Sequence, residues 1–275
     1  MTTPTRPPPI RNRKPRLAVH KFSSCDGCQL ALLNAGQNLL ALADMVDIVH
    51  FAEAGVVNEA AEADISLVEG SISTPQELAR IEQVRGRSRW LIPIGACATA
   101  GGPQALRNLA DAQAWIGAIY DKPEHISALP TATAIAEHVA VDLQLPGCPV
   151  NTGQVLAALR DLMSGARPVA EQDKVCLDCK RRGQVCVLVA KGEPCLGPVT
   201  VTGCGALCPS LGRDCYGCYG PAENPNVASL AQWLAEHGMT SQAVARRFLY
   251  QQSGAPAFRE AVRHWQGRSD DDQDR

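Results

Sequence analysis

Along the first 165 residues, short clusters of apolar and β-branched positions alternate with longer stretches in which apolar residues recur at helical spacing. Leu17–Phe22 (LAVHKF), Asp47–Phe51 (DIVHF), Ile65–Glu69 (ISLVE) and Trp90–Ile94 (WLIPI) read as strands, and Val139–Leu145 as a further one. Between them Gln29–Ala43, Pro75–Val84 and Thr152–Met163 read as helices, the second with Thr74 as N-cap and Pro75 at its first position. Such alternation predicts an α/β fold: a flavodoxin-like parallel sheet with helices on both faces. Past Gly165 the periodicity fades. Residues 176–221 are rich in Cys, Gly and Pro, an irregular segment whose order would come from bound metal, and helical patterns return at Ala228–His237 and Ser241–Tyr250.

The chain therefore divides, on this pattern, into a flexible basic and Pro-rich arm (1–15), a flavodoxin-like domain (16–165), an irregular Cys-rich domain with C-terminal helices (166–265) and a charged, disordered tail (266–275). A 275-residue chain can bury a real core, and 45% hydrophobic with 20% charged residues is ordinary for a globular protein. A net charge of -2 argues against nucleic-acid or membrane-surface binding, and no apolar run approaches the roughly 20 residues that span a bilayer. The basic arm leads into no hydrophobic signal core, so a cytoplasmic location is expected.

The cysteines change the picture. Eight of the twelve lie between Cys176 and Cys218, a stretch that opens and closes with CxxC and holds Cys186, Cys195, Cys204 and Cys208 between. The other four, Cys25, Cys28, Cys97 and Cys148, follow the predicted strands, where the loops of an open α/β sheet converge on one edge. Twelve thiols without an export signal point to metal ligation in a reducing compartment rather than to disulfides. Zinc fits paired CxxC knuckles; a 4Fe-4S cluster also takes four thiolates and accepts ligands from irregular, distant segments. Cys25 and Cys28 stand at a predicted helix start, whose free amides would favour an anionic cluster; the loop SSCDGC takes the place of a phosphate loop, and no flavin is expected there. The run Lys180-Arg181-Arg182 is either a solvated face or a field that offsets cluster charge or docks an acidic partner. The six histidines show no ligand spacing, and neither a nucleotide fingerprint nor a nucleophile motif is present, so no catalytic residue is assigned.

Five ordered motifs carry a resemblance: Cys25-Asp26-Gly27-Cys28, Val68-Glu69-Gly70-Ser71-Ile72, Gly95-Ala96-Cys97, Pro146-Gly147-Cys148-Pro149, and the run from Cys176 through Cys218-Tyr219-Gly220-Pro221. Over roughly residues 16–222 the chain resembles the small subunit of nickel–iron hydrogenases. The resemblance implies three 4Fe-4S clusters: a proximal one on Cys25, Cys28, Cys97 and Cys148, a distal one on Cys176, Cys179, Cys186 and Cys195, and a medial one on Cys204, Cys208, Cys215 and Cys218. It places Glu69 near the interface with a large subunit.

Exported members begin the distal site with histidine and carry proline in the medial one; Cys176 and Cys208 stand there instead, and a twin-arginine signal and C-terminal anchor are lacking. These features resemble the cytoplasmic branch, and RRGQVCVLVAKGEPCLGPVT resembles the delta subunit of NADP-linked sulfhydrogenases. The implied function is an electron relay between a nickel–iron centre in the large subunit and flavin- and iron–sulfur-bearing NAD(P)-reductase subunits, the nickel–iron centre and FAD residing in those partners. Two alternatives are a subunit feeding a heterodisulfide reductase or deazaflavin module, and a zinc-stabilised scaffold.

Overall fold

The structure, a computed structural model, describes residues 13–267. Four strands form one parallel sheet in the order β2-β1-β3-β4: β1 (Arg16–Lys21), β2 (Asp47–Phe51), β3 (Ala63–Glu69) and β4 (Ser88–Ile94). Every residue of the central strand β3 is buried, as expected of a strand covered on both faces. The order reverses at β1, so the crevice of a doubly wound sheet opens beyond the C-termini of β1 and β3.

The predicted helix Gln29–Ala43 is two helices, α1 (Gly27–Leu33) and α2 (Gln37–Met45), because Gly36 takes a left-handed φ of 59° between them. The next, α3 (Pro75–Arg87), begins as predicted. Thr74 accepts the Glu77 N–H at 3.2 Å, and Glu77 accepts the Thr74 N–H at 3.0 Å in return. Thr74→Ala is expected to lower stability by about 1 kcal/mol, read as a fall in the thermal midpoint.

Short α4 (Gly95–Ala100), α5 (Ala112–Ile119) and α6 (Thr152–Ser164) complete the first half. Leu32 of α1, Leu42 of α2 and Val155, Leu156 and Leu159 of α6 cover one sheet face. Ile81 and Val84 of α3 and Ala98 of α4 cover the other.

The predicted strand 139–145 does not form. The segment follows β4, with the Asp142 and Leu145 N–H groups donating to the Leu91 and Pro93 carbonyls, both at 3.0 Å, but only Leu145 makes a bridge, to Ile94. Two local features interrupt the ladder. Pro93 has no N–H to give, and the Asp142 carboxylate, rather than a backbone carbonyl, takes the Leu91 N–H at 2.8 Å.

Beyond residue 165 come three short helices, α7 (Val175–Arg181), α8 (Val187–Lys191) and α9 (Leu207–Ser210). A three-helix unit of α10 (Val227–Glu236), α11 (Ser241–Arg247) and α12 (Pro256–Gln266) follows. It has its own core of Leu230, Leu234, Val244, Phe248, Phe258, Val262 and Trp265, against which Leu196 and Val199 pack. Of the tail expected over 266–275, Gln266 closes α12, and residues 268–275 lie outside the described residues. The flexible arm expected over 1–15 is likewise outside them up to residue 12. Arg13 is held by two hydrogen bonds to Asp64 (2.6 and 2.8 Å), and the Pro15 carbonyl accepts the Asp47 N–H. Among the described residues no helix is long and apolar enough to cross a membrane.

Candidate metal centres

The loop after β1 carries Cys25, exposed at the rim, and Cys28, buried in the first turn of α1. Asp26, which precedes that helix, is left-handed at φ 64° and offers no side-chain cap. Glu69, at the end of β3 and almost wholly buried, supplies the cap from across the crevice. Its Oε1 accepts the Cys28 N–H at 3.0 Å and its Oε2 the Gln29 N–H at 3.2 Å. The expectation that these amides serve an anionic cluster is therefore corrected: a carboxylate holds them. Glu69 is a structural partner of the cysteine loop.

Cys97 lies within α4 directly after β4, and Cys148 follows the segment tied to β4 by the Ile94–Leu145 bridge. The Gly95 and Ala96 N–H groups donate to the Leu145 and Gly147 carbonyls, both at 2.8 Å, which brings the two loops together. The structure thus gathers Cys25, Cys28, Cys97 and Cys148 at one edge of the sheet. The Cys28 thiol is pushed up mainly by burial, then by Glu69, with Cys97 and Cys148 adding. Cys97 is pushed up to about 12 by burial and then by Cys148.

Electrostatic couplings also run among the later eight thiols. Cys176 is pushed up to about 11 by burial and then by Cys195, Cys179 and Cys186. Cys218 is pushed up to about 12 by burial and then by Cys204, with Cys148 and Cys208 contributing. Cys215, buried among apolar side chains, is raised by that burial, and Cys195 and Cys218 add to it. All twelve are free thiols, and among the described residues no three Cys, His, Asp or Glu side chains converge as a single metal ion requires.

The Cys215 N–H donates to Cys195 Sγ at 3.2 Å, and Cys148 lies near enough to Cys218 to influence its thiol.

Glycines give these sulfurs room. A Cβ on Gly102 would lie 2.6 Å from Cys97 Sγ, one on Gly27 3.3 Å from Cys25 Sγ, and one on Gly197 3.3 Å from Cys195 Sγ. A Cβ on Gly95 would overlap Cys28 Sγ. Backbone N–H donors also reach sulfur, Val150 to Cys28 at 3.4 Å and Gly217 to Cys215 at 3.5 Å. Soft, buried, all-thiol donor sets with N–H···S bonds fit iron–sulfur ligation. A bare thiolate is unfavourable at the buried positions, and bound iron would supply the missing positive charge.

Three supporting residues are not legible in the sequence. Gln104 donates through Nε2 to the Ser23 carbonyl at 3.1 Å and lies beside Cys97, both side chains within 3 Å of where a Cβ on Gly102 would stand. Tyr219 sits between the first and third thiol groups, its ring filling the space a Cβ on Gly147 or Gly203 would need. Its hydroxyl donates to the Pro149 carbonyl at 3.5 Å, and its pKa is raised by burial and then by Cys204, Cys218, Cys28 and Cys148. Arg247 of α11 reaches back to the cysteine loops, donating to the Pro194 carbonyl at 2.7 Å and the Cys215 carbonyl at 3.2 Å. Of the histidines, His20 and His50 stack at 4.8 Å inside the fold, and His237 stacks on Trp233 at 3.7 Å.

Known proteins share this arrangement of sequence and fold. Residues 25–162 match the family described as NADH ubiquinone oxidoreductase, 20 Kd subunit. The sulfhydrogenase 2 subunit delta of Pyrococcus furiosus is 35% identical over 232 residues, covering 84% of this chain and 97% of that protein. A subunit of the vhu F420-non-reducing hydrogenase of Methanococcus voltae is 29% identical, covering 82% and 89%. Among solved structures, a chain of the NAD+-reducing nickel–iron hydrogenase in its H2-reduced state superposes with a TM-score of 0.52 at 28% identity, covering 57% of this chain and 96% of that one. The chain belongs to the 20 kDa-subunit family. Within it, the chain is a small subunit of the nickel–iron hydrogenase type.

Proposed function

We propose that this chain is the electron-relay subunit of a cytoplasmic nickel–iron hydrogenase, carrying three 4Fe-4S clusters between a nickel–iron site in a large subunit and a flavin- and iron–sulfur-bearing partner that exchanges electrons with NADP. Cys25, Cys28, Cys97 and Cys148 would hold the proximal cluster, Cys204, Cys208, Cys215 and Cys218 the medial, and Cys176, Cys179, Cys186 and Cys195 the distal. When bound, the clusters supply one-electron chemistry, taking electrons from hydrogen oxidation or returning them for hydrogen evolution.

What supports this reading is that the cysteine loops lie against one another: the Cys28 thiol is raised by Cys97 and Cys148, that of Cys218 by Cys204 and Cys148, and the Cys215 N–H donates to Cys195 Sγ at 3.2 Å. The chain's own residues act as scaffold. Burial excludes water from the inner thiols, the Val150 and Gly217 N–H groups donate to sulfur, and Glu69 fixes the loop that presents Cys25 and Cys28.

The stretch RRGQVCVLVAKGEPCLGPVT, which resembles the delta subunit of NADP-linked sulfhydrogenases, supports the NADP-linked branch, and the reduction of NADP by the purified hydrogen-reduced complex tests it. Metal analysis of anaerobically purified protein tests the clusters themselves. The expected result is about twelve irons with matching sulfide per chain; two or three zincs in a colourless protein would overturn the reading.

A further inference from the structure

The Arg247–Asp214 ion pair is, among the described residues, the one pair with both side chains nearly buried. It lies where the loop at Cys195 meets the loop at Cys215. Asp214 directly precedes Cys215 in the chain. The guanidinium donates through Nε to the Pro194 carbonyl at 2.7 Å and through Nη2 to the Cys215 carbonyl at 3.2 Å. The two loops are also tied without it. The Leu196 N–H donates to the Cys215 carbonyl at 3.0 Å, and the Cys215 N–H to Cys195 Sγ at 3.2 Å.

Fastening two loops calls for hydrogen-bond donors, not for a full charge. Burying an ion pair returns little net stability, because desolvation offsets the attraction. The charge itself therefore asks for another role. Exposed cations such as Lys180 and Arg181 are screened by water and salt, whereas a charge enclosed by protein is felt several ångströms away. The guanidinium is the end of the pair bonded to both carbonyls, one beside Cys195 and one on Cys215. The Cys195 thiol is pushed up by burial, and the Cys215 and Gly197 N–H groups and the Arg247 charge act the other way, favouring its anion.

We propose that Arg247 sets the reduction potentials of the clusters held by Cys176, Cys179, Cys186 and Cys195 and by Cys204, Cys208, Cys215 and Cys218, raising both relative to the first cluster, with Asp214 as the opposing charge. Each cluster gains one electron on reduction, with no bond made or broken, and a nearby cation favours the electron-rich form. Electrons arriving from the first cluster are thereby drawn onto the outer two. The inference rests on the electron-relay reading.

The test is an EPR-monitored redox titration of the anaerobically purified hydrogenase complex. Arg247→Met is expected to lower the reduced-to-oxidised ratio of these two clusters by about tenfold at fixed potential, a shift of about 59 mV for one electron. Asp214→Asn should move both the opposite way, and the first cluster should stay where it is in either variant. Arg247→Lys keeps the charge but gives up the fork of hydrogen bonds, and should stay near the parent values. Should Arg247→Met fail to fold, Asp214→Asn and Arg247→Lys still decide. Potentials that do not move, that move the same way in Arg247→Met and Asp214→Asn, or that move equally at the first cluster would overturn the inference. Zinc in place of iron would defeat the relay reading itself, so the two failures are distinguishable.

Discussion

Replacing Arg247 by methionine is expected to destabilise the protein by about 3–5 kcal/mol, the loss that follows when a buried charge is left without its partner. The Arg247 and Asp214 side chains form an ion pair and are each only 10% exposed. The same guanidinium donates to the Pro194 and Cys215 carbonyls and lies over the Tyr216 ring at 4.5 Å. One side chain therefore fastens the loop before Cys195 and the loop at Cys215 to the C-terminal helices. The substitution would leave the Asp214 carboxylate buried and the Pro194 carbonyl without the Arg247 donor, while the Cys215 carbonyl keeps only the Leu196 N–H. A urea titration followed through Trp233 and Trp265, both in that helical unit, should give a lower midpoint. Adding Asp214→Asn should recover part of the loss, because the stranded charge is then removed. A midpoint unchanged by Arg247→Met would mean that the helices and the cysteine loops hold together without it.

The second large effect is expected at Gly95. Its φ of 81° already disfavours any residue with a Cβ, and an alanine there would push into Cys28 Sγ. The backbone has little freedom to give way, since the Gly95 and Ala96 N–H groups are tied to the Leu145 and Gly147 carbonyls at 2.8 Å. The thiol must move instead. If the chain carries the three clusters proposed, Gly95→Ala should therefore lower bound iron from about twelve to about eight per chain, with the EPR signals of the other two kept. Gly86→Ala in α3, where a Cβ meets nothing within 4 Å, is the control and should leave iron content unchanged. Full iron content in Gly95→Ala would show that the first thiol set does not depend on this clearance.

What is legible in the sequence and what is not have physical reasons. The four strands are readable because burial of the sheet on both faces demands clustered apolar residues, as in ISLVE at 65–69. The segment 139–145 carries the same composition, yet Pro93 and the Asp142 carboxylate, acting from opposite sides, keep its backbone from pairing fully. One glycine, Gly36, splits a helix that the periodicity alone leaves whole. The α12 helix is absent from the sequence reading although Phe258, Ala261, Val262 and Trp265 follow a helical period into the core. The twelve cysteines proposed as ligands stand out in the sequence by count and spacing, because thiolate chemistry needs that residue type. Their supports do not: Gln104, Tyr219 and Arg247 matter through hydrogen bonds to partners up to 81 residues away, which no local pattern records. Glu69 is legible as a position but not as the cap of a helix it does not belong to.

Tyr219 carries one more consequence. Its ring is clasped between Gly147 and Gly203, two positions on separate loops whose lack of a side chain makes the space it fills. None of the three can be exchanged alone. A larger residue at either glycine evicts the ring, and a smaller residue at Tyr219 opens a void between them. The three positions are thus sterically coupled, a constraint that ties together two stretches of chain with no proposed ligand in common.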